Sequence, residues 1–385
     1  MRWLITLCFC AAASVSTAAD SAELLKSIKA VTREGAGNQQ AQAAWKALVG
    51  QGGDALLPTL AAMDDATPLA NNWLRSAVTA IAEKEKAAGK ARSAKPLETF
   101  VTDSTHGPVG RRLAYELLTE IDPKASARLL PGFLNDPSGD MRRDAIAAEL
   151  PKAEAAAKAD PKAAKALYEK LFQASRDQDQ AETIAKAIKE LGGKADLTGH
   201  FGVVTKWLVV GPFDSTKGAG FDKAYPPEAG VDPKATYKGK DGDIAWKPWA
   251  SDDTYGKVDL NKALPKYTDK ADPEKGVEKY KDSAAYAFTV IESDADRPVE
   301  LRFGSYCALK VFLNGKLMYA REEYHHGERF DQYLARGTLK KGKNELLVKV
   351  CQNNQTEAWA LNWQFMLRIC DATGGAVPMT VTGGK

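Results

Sequence analysis

The chain has 385 residues, of which 44% are hydrophobic and 27% are charged, and its formal net charge is +3. At about 100–200 residues per domain, this length indicates two or three domains, each able to bury a core. Lysines and acidic residues are interleaved throughout, so the chain has no concentrated basic stripe of the kind that binds nucleic acid.

The first nineteen residues have the pattern of a secretory signal peptide. Arg2 supplies a positive charge, residues 4–13 are apolar, and residues 16–19 are small. The apolar run is shorter than the ~20 residues that span a bilayer. We therefore predict a leader at residues 1–19 that is cleaved after Ala19. The mature chain is expected in the periplasm, outside the cell or at the cell surface, with no transmembrane segment.

Residues 20–199 have a helical composition, with 38 alanines and only 7 aromatic residues between Asp20 and Gly199. Three matches share one register, with arginines that are 37 and 31 residues apart: Arg75-Ser-Ala77, Arg112-Leu-Ala114 and Arg143-Asp-Ala145. An apolar segment that ends in aspartate precedes each match, at Asp64, Asp103 and Asp136. This spacing predicts stacked pairs of helices that share a continuous core.

The pattern resembles HEAT repeats from about Gly53 to Lys152. In such a stack, the alanine of each match lies where two helices approach closely, and the arginines and aspartates pair along the stack. Further helices are expected at residues 22–31, 40–49, 160–175 and 178–191. An irregular helical bundle is the alternative for residues 20–199.

Residues 200–385 have a different composition, with 23 aromatic residues from Phe201 onward and many turn residues. A buried strand is predicted from Trp207, and Asn314-Gly315 between two strand patterns predicts a type I′ hairpin. Further strands are expected at residues 284–291, 299–303, 339–350 and 358–370. About eight short antiparallel strands indicate a β-sandwich.

Three motifs of this half are similar to those of galactose-binding-like jelly-roll domains: the Gly-Pro-Phe-Asp that ends at Asp214, Leu313-Asn-Gly-Lys316, and residues 339–349 (LKKGKNELLVK). These domains lie beside glycoside hydrolase domains and in secreted bacterial proteins. The seam at residues 201–214 resembles a junction in secreted bacterial HEAT-repeat proteins that end in such a domain. The resemblance implies the fold but no particular ligand. Galactose-binding-like domains often carry acidic residues after one of their strands, and at that position this chain has Gly304-Ser-Tyr-Cys307 instead.

Candidate ligand-binding residues follow from the needs of sugar recognition, which uses exposed aromatic faces with planar polar groups. The polar cluster at residues 322–331 and the second half of the sandwich supply six candidates: Tyr306, Tyr324, His325, His326, Asn353 and Trp359. Adjacent histidines in a strand point to opposite faces, so we expect no metal site from the histidine pair. A solvated loop is the alternative for the cluster. No cofactor is expected, and a structural calcium ion stays open.

Three cysteines remain after the leader: Cys307, Cys351 and Cys370. In an exported protein two of them can form a disulfide, and Cys307 with Cys351 is the expected pair, although sequence does not determine pairing.

Catalytic motifs such as G-x-S-x-G, H-E-x-x-H and a P-loop are absent from the sequence. We therefore expect an exported, non-catalytic binding or scaffold protein that recognises a polysaccharide or an envelope protein. The alternatives are a carbohydrate-active hydrolase, or its accessory subunit, with an unfamiliar site between the two modules, and a purely structural scaffold.

Overall fold

A computed structural model of the chain describes residues 21–90, 92–267 and 277–383. The predicted leader at residues 1–19 lies outside the described residues. The chain divides into two compact units, Met1–Leu191 and Gly192–Lys385. This division falls shortly before the boundary at residues 199–200 that the composition predicts. The first unit is helical and the second is built from antiparallel sheets, as predicted.

The helical unit contains the predicted succession of helices. The described helices are α1 (residues 21–29), α2 (Asn38–Gln51), α3 (Leu56–Ala61), α4 (Pro68–Ala87), α5 (Ala94–Thr102), α6 (Pro108–Ile121), α7 (Ala125–Leu129), α8 (Gly139–Ala159), α9 (Pro161–Ala174) and α10 (Gln178–Glu190). Proline stands in the first turn of α4, α6 and α9, where its missing N–H costs no helical hydrogen bond. The Asp160 side chain caps α9 by accepting from the N–H groups of Lys162 and Ala163.

Neighbouring helices pack in pairs, α3 with α4 and α5 with α6, and α6 also contacts α3 and α8. The three alanines of the shared register, Ala77, Ala114 and Ala145, are fully buried, as predicted. Gly110 of α6 lies against the backbone of α3, because a Cβ atom there would be 2.7 Å from the Leu60 carbonyl oxygen. Small side chains therefore set the distance between successive helices.

The arginine–aspartate pairing differs in detail from the prediction. Arg111, the residue before the predicted arginine, is buried and donates to both carboxylate oxygens of Asp136 at 2.9 and 2.6 Å. Arg112 pairs instead with Asp144, and Arg143 donates to Asp179 at 2.8 Å. Arg112 and Arg143 thus form ion pairs nearer the surface along the stack, whereas the buried pair of Arg111 with Asp136 fixes the turn before α8.

The described residues of the second unit contain fifteen strands and three short α-helices. The strands are β1 (Lys206–Asp214), β2 (Thr236–Lys238), β3 (Asp243–Ala245), β4 (Lys247–Ala250), β5 (Val258–Asp259), β6 (Lys266–Tyr267), β7 (Val277–Glu278), β8 (Ser283–Ser293), β9 (Arg297–Ser305), β10 (Ala308–Leu313), β11 (Lys316–Arg321), β12 (Tyr333–Leu339), β13 (Gly342–Gln352), β14 (Gln364–Cys370) and β15 (Thr380–Val381). The helices are α11 (Leu197–Phe201), α12 (Pro226–Ala229) and α13 (Leu260–Ala263).

Two larger antiparallel sheets form the body of this unit. Within the described residues, the order β11-β10-β13-β8-β1-β4, with β15 beside β8, forms a seven-stranded sheet, and β12-β9-β14-β5 forms a four-stranded sheet. Both sheets contribute to one hydrophobic core, so they pack face to face. Trp207, Leu301 and Phe365 lie in this core. At the β10–β11 turn, Asn314 and Gly315 have φ angles of 52° and 73°, which confirms the predicted type I′ hairpin.

The seven-stranded sheet is buried on its outer face as well. Residues 215–246 cross that face and form a second cluster with it, which includes Phe221, Tyr225 and Trp246. Lys349 of β13 is 0% exposed beneath this segment. Its ammonium donates to the carbonyl oxygens of Phe221 and Lys223 at 3.1 and 2.7 Å and to the Glu228 carboxylate at 2.8 Å. A charged anchor therefore holds the covering segment to the sheet.

Candidate functional site

Three connections meet at one end of the seven-stranded sheet: the β9–β10 turn, the β11–β12 loop (residues 322–332) and the segment between β13 and β14. They place five of the six predicted ligand-binding residues within one network of contacts, described below. We call these five residues the Trp359 site: Tyr306, Tyr324, His325, Asn353 and Trp359.

His325 is the centre of the site. Its backbone N–H donates to the Tyr306 carbonyl oxygen at 2.6 Å, and its ring Nε2 lies 2.7 Å from Oδ1 of Asn353. The indole of Trp359 packs edge to face against the imidazole, with 5.6 Å between the ring centroids. His325 has a φ angle of 58°, a left-handed conformation that is uncommon outside glycine. Contacts to three residues of two other segments hold His325 in this conformation.

Trp359 presents its indole to solvent from a firmly held turn. The residue is 56% exposed, the largest exposed fraction among the large hydrophobic residues that the structure describes as exposed. The next residue, Ala360, is buried, and its carbonyl oxygen accepts from Nζ of Lys281 at 2.8 Å and from Nε2 of Gln352 at 3.0 Å. An exposed aromatic face on an anchored backbone is suited to stacking against a ligand.

Polar groups extend the network around His325, the residue that packs against this indole. Asn353 donates from Nδ2 to Gln355 at 2.8 Å, and the Gln355 N–H returns a bond to Asn353 Oδ1 at 3.2 Å. The Tyr324 hydroxyl donates to Glu322 at 3.4 Å. Burial raises the pKa of the Tyr324 phenol well above its usual value, so this hydroxyl stays protonated and remains a donor. Amide, hydroxyl and carboxylate groups therefore belong to the same network of contacts as the Trp359 indole.

Tyr306 and His326 differ from the other four predicted residues in what their side chains contact. Tyr306 is half-buried, packs against the core between the sheets and contributes its carbonyl oxygen to the site. His326 turns away from the site, because its Nε2 contacts the Tyr333 hydroxyl and lies 3.6 Å from Glu323. The two adjacent histidines thus have separate partners. No group of three or more histidine, cysteine or acidic side chains is arranged to hold a metal ion in the described part of the chain.

The predicted disulfide between Cys307 and Cys351 is not formed, since both cysteines, and Cys370, are buried free thiols. In the register of β10 with β13, Ala308 is opposite Cys351, so the neighbouring Cys307 points to the other face of the sheet. Cys307 accordingly belongs to the core between the sheets, and Cys351 belongs to the outer cluster. Burial raises the pKa of the Cys351 thiol to about 12, which leaves it unreactive.

A carboxyl group that sequence reasoning missed lies in the β11–β12 loop. Glu328 accepts from Nε2 of Gln364 at 2.6 Å, whereas its second carboxylate oxygen is buried without a hydrogen-bond partner in the described residues. Burial raises the pKa of Glu328 to about 7, and the carboxylates of Asp253 and Asp259 add to the shift, whereas Gln364 and Lys257 oppose it. No local motif marks this residue, because its environment comes from distant segments.

Comparisons with known proteins give no family for the chain. No family model and no curated protein matches it. Among solved structures, the selenomethionine-labelled beta-glucosidase from Kluyveromyces marxianus is 11% identical with a TM-score of 0.24, over 43% of this chain and 16% of that one. The complex of the Kluyveromyces marxianus enzyme with glucose is also 11% identical with a TM-score of 0.24, over 44% of this chain and 17% of that one. The GH31 alpha-xylosidase from Xanthomonas citri is 12% identical with a TM-score of 0.20, over 46% of this chain and 16% of that one.

The chain spans about a sixth of the length of these enzymes. At such TM-scores the similarity assigns neither a fold nor an activity to the chain. No helix in the described ranges is both long and apolar enough to cross a membrane.

Proposed function

We propose that this protein is an exported, non-catalytic binding protein whose sheet unit recognises a carbohydrate at the cell envelope. The observation that carries the proposal is the exposed indole of Trp359, which packs on His325 at one end of the seven-stranded sheet, where the His325 ring contacts Asn353. The signal-peptide pattern of residues 1–19 supports export.

The chemistry of sugars matches this arrangement. One face of a pyranose ring is lined by C–H groups that pack on an aromatic ring, and the hydroxyl groups at its edge need donors and acceptors. Trp359 offers the aromatic face, and Asn353, Gln355 and Glu322 offer planar polar groups nearby. A few polar groups around an apolar surface are typical of small-ligand sites.

The finer fold assignment is part of the same proposal. A HEAT-like solenoid is supported by the pairwise packing of α3 to α6 and by the buried alanines of the shared register. A galactose-binding-like jelly roll is supported by the two facing antiparallel sheets and by the hairpin at Asn314-Gly315. In this proposal the solenoid is a scaffold and the sheet unit carries the ligand.

A panel of glycans and polysaccharides, offered to the purified mature chain from Asp20 onward with and without calcium, tests the function. We expect saturable binding to at least one glycan. Binding that depends on calcium would indicate a structural calcium ion, whereas equal binding after chelation would show that glycan binding needs no calcium. Absence of binding to every glycan would refute the carbohydrate proposal.

A protein partner is the second candidate, and a cleft in the helical unit favours it. The cleft has a volume of about 800 Å³ and is lined by Leu69, Trp73 and Val31 together with polar residues of the α1–α2 connection, α2 and α4. A photo-crosslinking residue at position 69 is expected to capture such an envelope protein in cells. A crosslink that is lost in Trp73→Ala, in a chain that binds no glycan of the panel, would support this candidate over the first.

The hydrolase alternative is tested on the same samples. A non-catalytic protein leaves the reducing ends of every bound glycan unchanged over hours of incubation. Release of new reducing ends by the wild type, and its loss in Glu328→Gln, would replace the binding proposal with an enzymatic one, because Glu328 is a partly buried carboxyl with a raised pKa.

A further inference from the structure

A groove runs between β11 and β12, the terminal strands of the two larger sheets. It has a volume of about 560 Å³ and lies beside the β10–β11 turn. We call it the Arg336 groove and define it by Leu313, Lys316, Met318, Arg336, Thr338 and Lys340. The Trp359 site lies near the other end of β10, roughly 20 Å away along this six-residue strand. The groove is therefore separate from that site.

The floor of the groove is apolar. Leu313 belongs to the core between the sheets, and Met318 packs against that core. Gly337 brings β12 close to both side chains, because a Cβ atom there would be 3.0 Å from Cδ2 of Leu313 and 3.4 Å from Cε of Met318. Since position 337 has no side chain, these two apolar groups stay accessible from the groove.

The walls of the groove carry positive charge. Lys316, Arg336 and Lys340 line it, and no acidic side chain does so in the described part of the chain. Lys340 pairs with Asp296 at 3.0 Å, whereas Lys316 has no ion-pair or hydrogen-bond partner among the residues that the structure describes. The formal charge of the whole chain is only +3, so the groove concentrates positive charge on a nearly neutral protein.

Arg336 is the exposed end of a chain of alternating charges. Asp331 pairs with Arg368 at 2.5 Å and with Arg302 at 3.0 Å. Glu300, which is almost fully buried, pairs with Arg302 at 2.7 Å and with Arg336 at 3.3 Å. Three guanidinium groups thus share two carboxylates. The excess positive charge lies at Arg336, whose side chain is 80% exposed.

Glu300 also orients the Arg336 guanidinium. Its carboxylate accepts from Nε of Arg336, and the two terminal nitrogens make no hydrogen bond within the described residues. These two nitrogens form a fork that donates two parallel hydrogen bonds to a carboxylate or a similar oxyanion. A ligand anion at this position would extend the alternation of charges by one member.

We propose that the Arg336 groove binds the carboxylate or sulfate groups of an acidic polysaccharide. The anion accepts from the Arg336 fork, Lys316 supplies a second positive charge, and the sugar rings pack on the apolar floor. The choice of a polysaccharide rests on the proposed function of the sheet unit, whereas the anion site itself does not.

A polysaccharide also suits the groove better than an acidic peptide does. Its rings hold the charged groups in fixed positions, and their C–H faces match the apolar side chains of Leu313 and Met318. A flexible peptide would lose more conformational entropy on binding, because each of its residues must become ordered.

Binding of dextran sulfate and of polygalacturonate to the full mature chain tests the proposal, with neutral dextran beside them. We expect at least one polyanion to bind more tightly than dextran at about 0.01 M salt, and binding to weaken at about 1 M salt, where charges are screened within about 3 Å. Replacing both Lys316 and Arg336 by glutamine should lower the low-salt affinity about tenfold or more. Both side chains are exposed, and Glu300 keeps Arg302 as its partner, so the fold is retained.

The matched control replaces Lys247 and Lys262 by glutamine, because both are exposed lysines of the same unit and lie outside the groove. This control should keep the wild-type affinity. An equal loss in both double variants would overturn the proposal, since it would show only general attraction between charges. Absence of polyanion binding in the wild type, or equal binding of dextran, would overturn it as well.

Two further samples separate this proposal from its alternatives. Polyglutamate that binds as tightly as the polysaccharides, with the same dependence on the groove, would overturn the choice of a polysaccharide. Trp359→Ala should keep the salt-dependent binding. Loss of that binding in Trp359→Ala, with no change in the groove variant, would refute the groove alone. Groove-dependent binding in a chain whose Trp359→Ala variant loses affinity for no glycan would refute only the proposed role of the Trp359 site.

Discussion

The buried ammonium of Lys349 offers the sharpest prediction about stability. Glu228 is its anionic partner at 2.8 Å and also accepts from the Tyr286 hydroxyl at 2.5 Å. Glu228→Gln removes the negative charge but keeps the shape, so Lys349 is left as a buried charge with neutral acceptors only. Removing one partner of a buried pair costs about 3–5 kcal/mol, so we expect the unfolding free energy to fall by about 3 kcal/mol.

Denaturant unfolding of the full mature chain measures this loss. Five tryptophans follow residue 200 and two lie between residues 21 and 199, so tryptophan fluorescence reports mainly on the sheet unit. Glu345→Gln is the matched control, because Glu345 lies on the same strand and is exposed. Its change should remain within about 0.5 kcal/mol.

A double variant separates the charge pair from simple packing. Lys349→Met with Glu228→Gln removes both charges together with the cost of burying them. We expect its loss of unfolding free energy to be at least about 1 kcal/mol smaller than the sum of the losses in Lys349→Met and Glu228→Gln, because the two residues are in contact and their effects are coupled. A loss below about 1 kcal/mol in Glu228→Gln, or strict additivity in the double variant, would refute the ion-pair account.

Three further outcomes follow from the geometry. Asp136→Asn should destabilise the helical unit by about 3 kcal/mol in thermal unfolding, because it leaves the buried Arg111 guanidinium without its anion, and a loss typical of surface sites would contradict this. Gly110→Ala should lower stability by about 1 kcal/mol or more in spite of its gain in helix propensity, since its Cβ would meet the Leu60 carbonyl oxygen, and a net gain would refute the close approach. Glu328→Gln should raise the unfolding free energy by up to about 3 kcal/mol at pH 8 and have little effect at pH 4.5, because the ionised carboxyl destabilises the fold above its raised pKa. An equal change in unfolding free energy at both pH values would refute the raised pKa of Glu328.

Local signals predicted the features that depend on neighbouring residues. Asn314-Gly315 predicts its own hairpin, because both residues tolerate the positive φ angles that a type I′ turn requires. Helices were expected at residues 160–175 and 178–191, and α9 begins at Pro161 while α10 ends just before Gly192, whose φ angle is 73°. In each case the determining atoms lie within a few residues of the signal.

Features that depend on distant segments were not predictable. Lys349 lies within a strand pattern, and its partner Glu228 is 121 residues away in the sequence. The covering segment that buries this lysine has no regular pattern of its own. The expected Cys307–Cys351 disulfide was wrong for a related reason, since the register between β10 and β13 decides which face each thiol occupies.

The candidate site was predicted as a set of residue types but not as an arrangement. Aromatic and amide residues suggested sugar binding, and the structure brings Tyr306, Tyr324, His325, Asn353 and Trp359 together. His326 contacts Tyr333 and lies apart from these five residues, and this position depends on the course of the β11–β12 loop. The environment of Glu328 depends on three segments, so its raised pKa had no sequence signal.

The most direct test of the central claim is the affinity of the best-binding glycan for Trp359→Ala, measured by calorimetry beside wild type and Leu317→Ala. Leu317 of β11 is 48% exposed and lies outside the Trp359 site, so it controls for the loss of any exposed apolar side chain. The account predicts at least a tenfold loss of affinity in Trp359→Ala, about 1.4 kcal/mol, and no change in Leu317→Ala. Unchanged affinity in Trp359→Ala would contradict the assignment of this site.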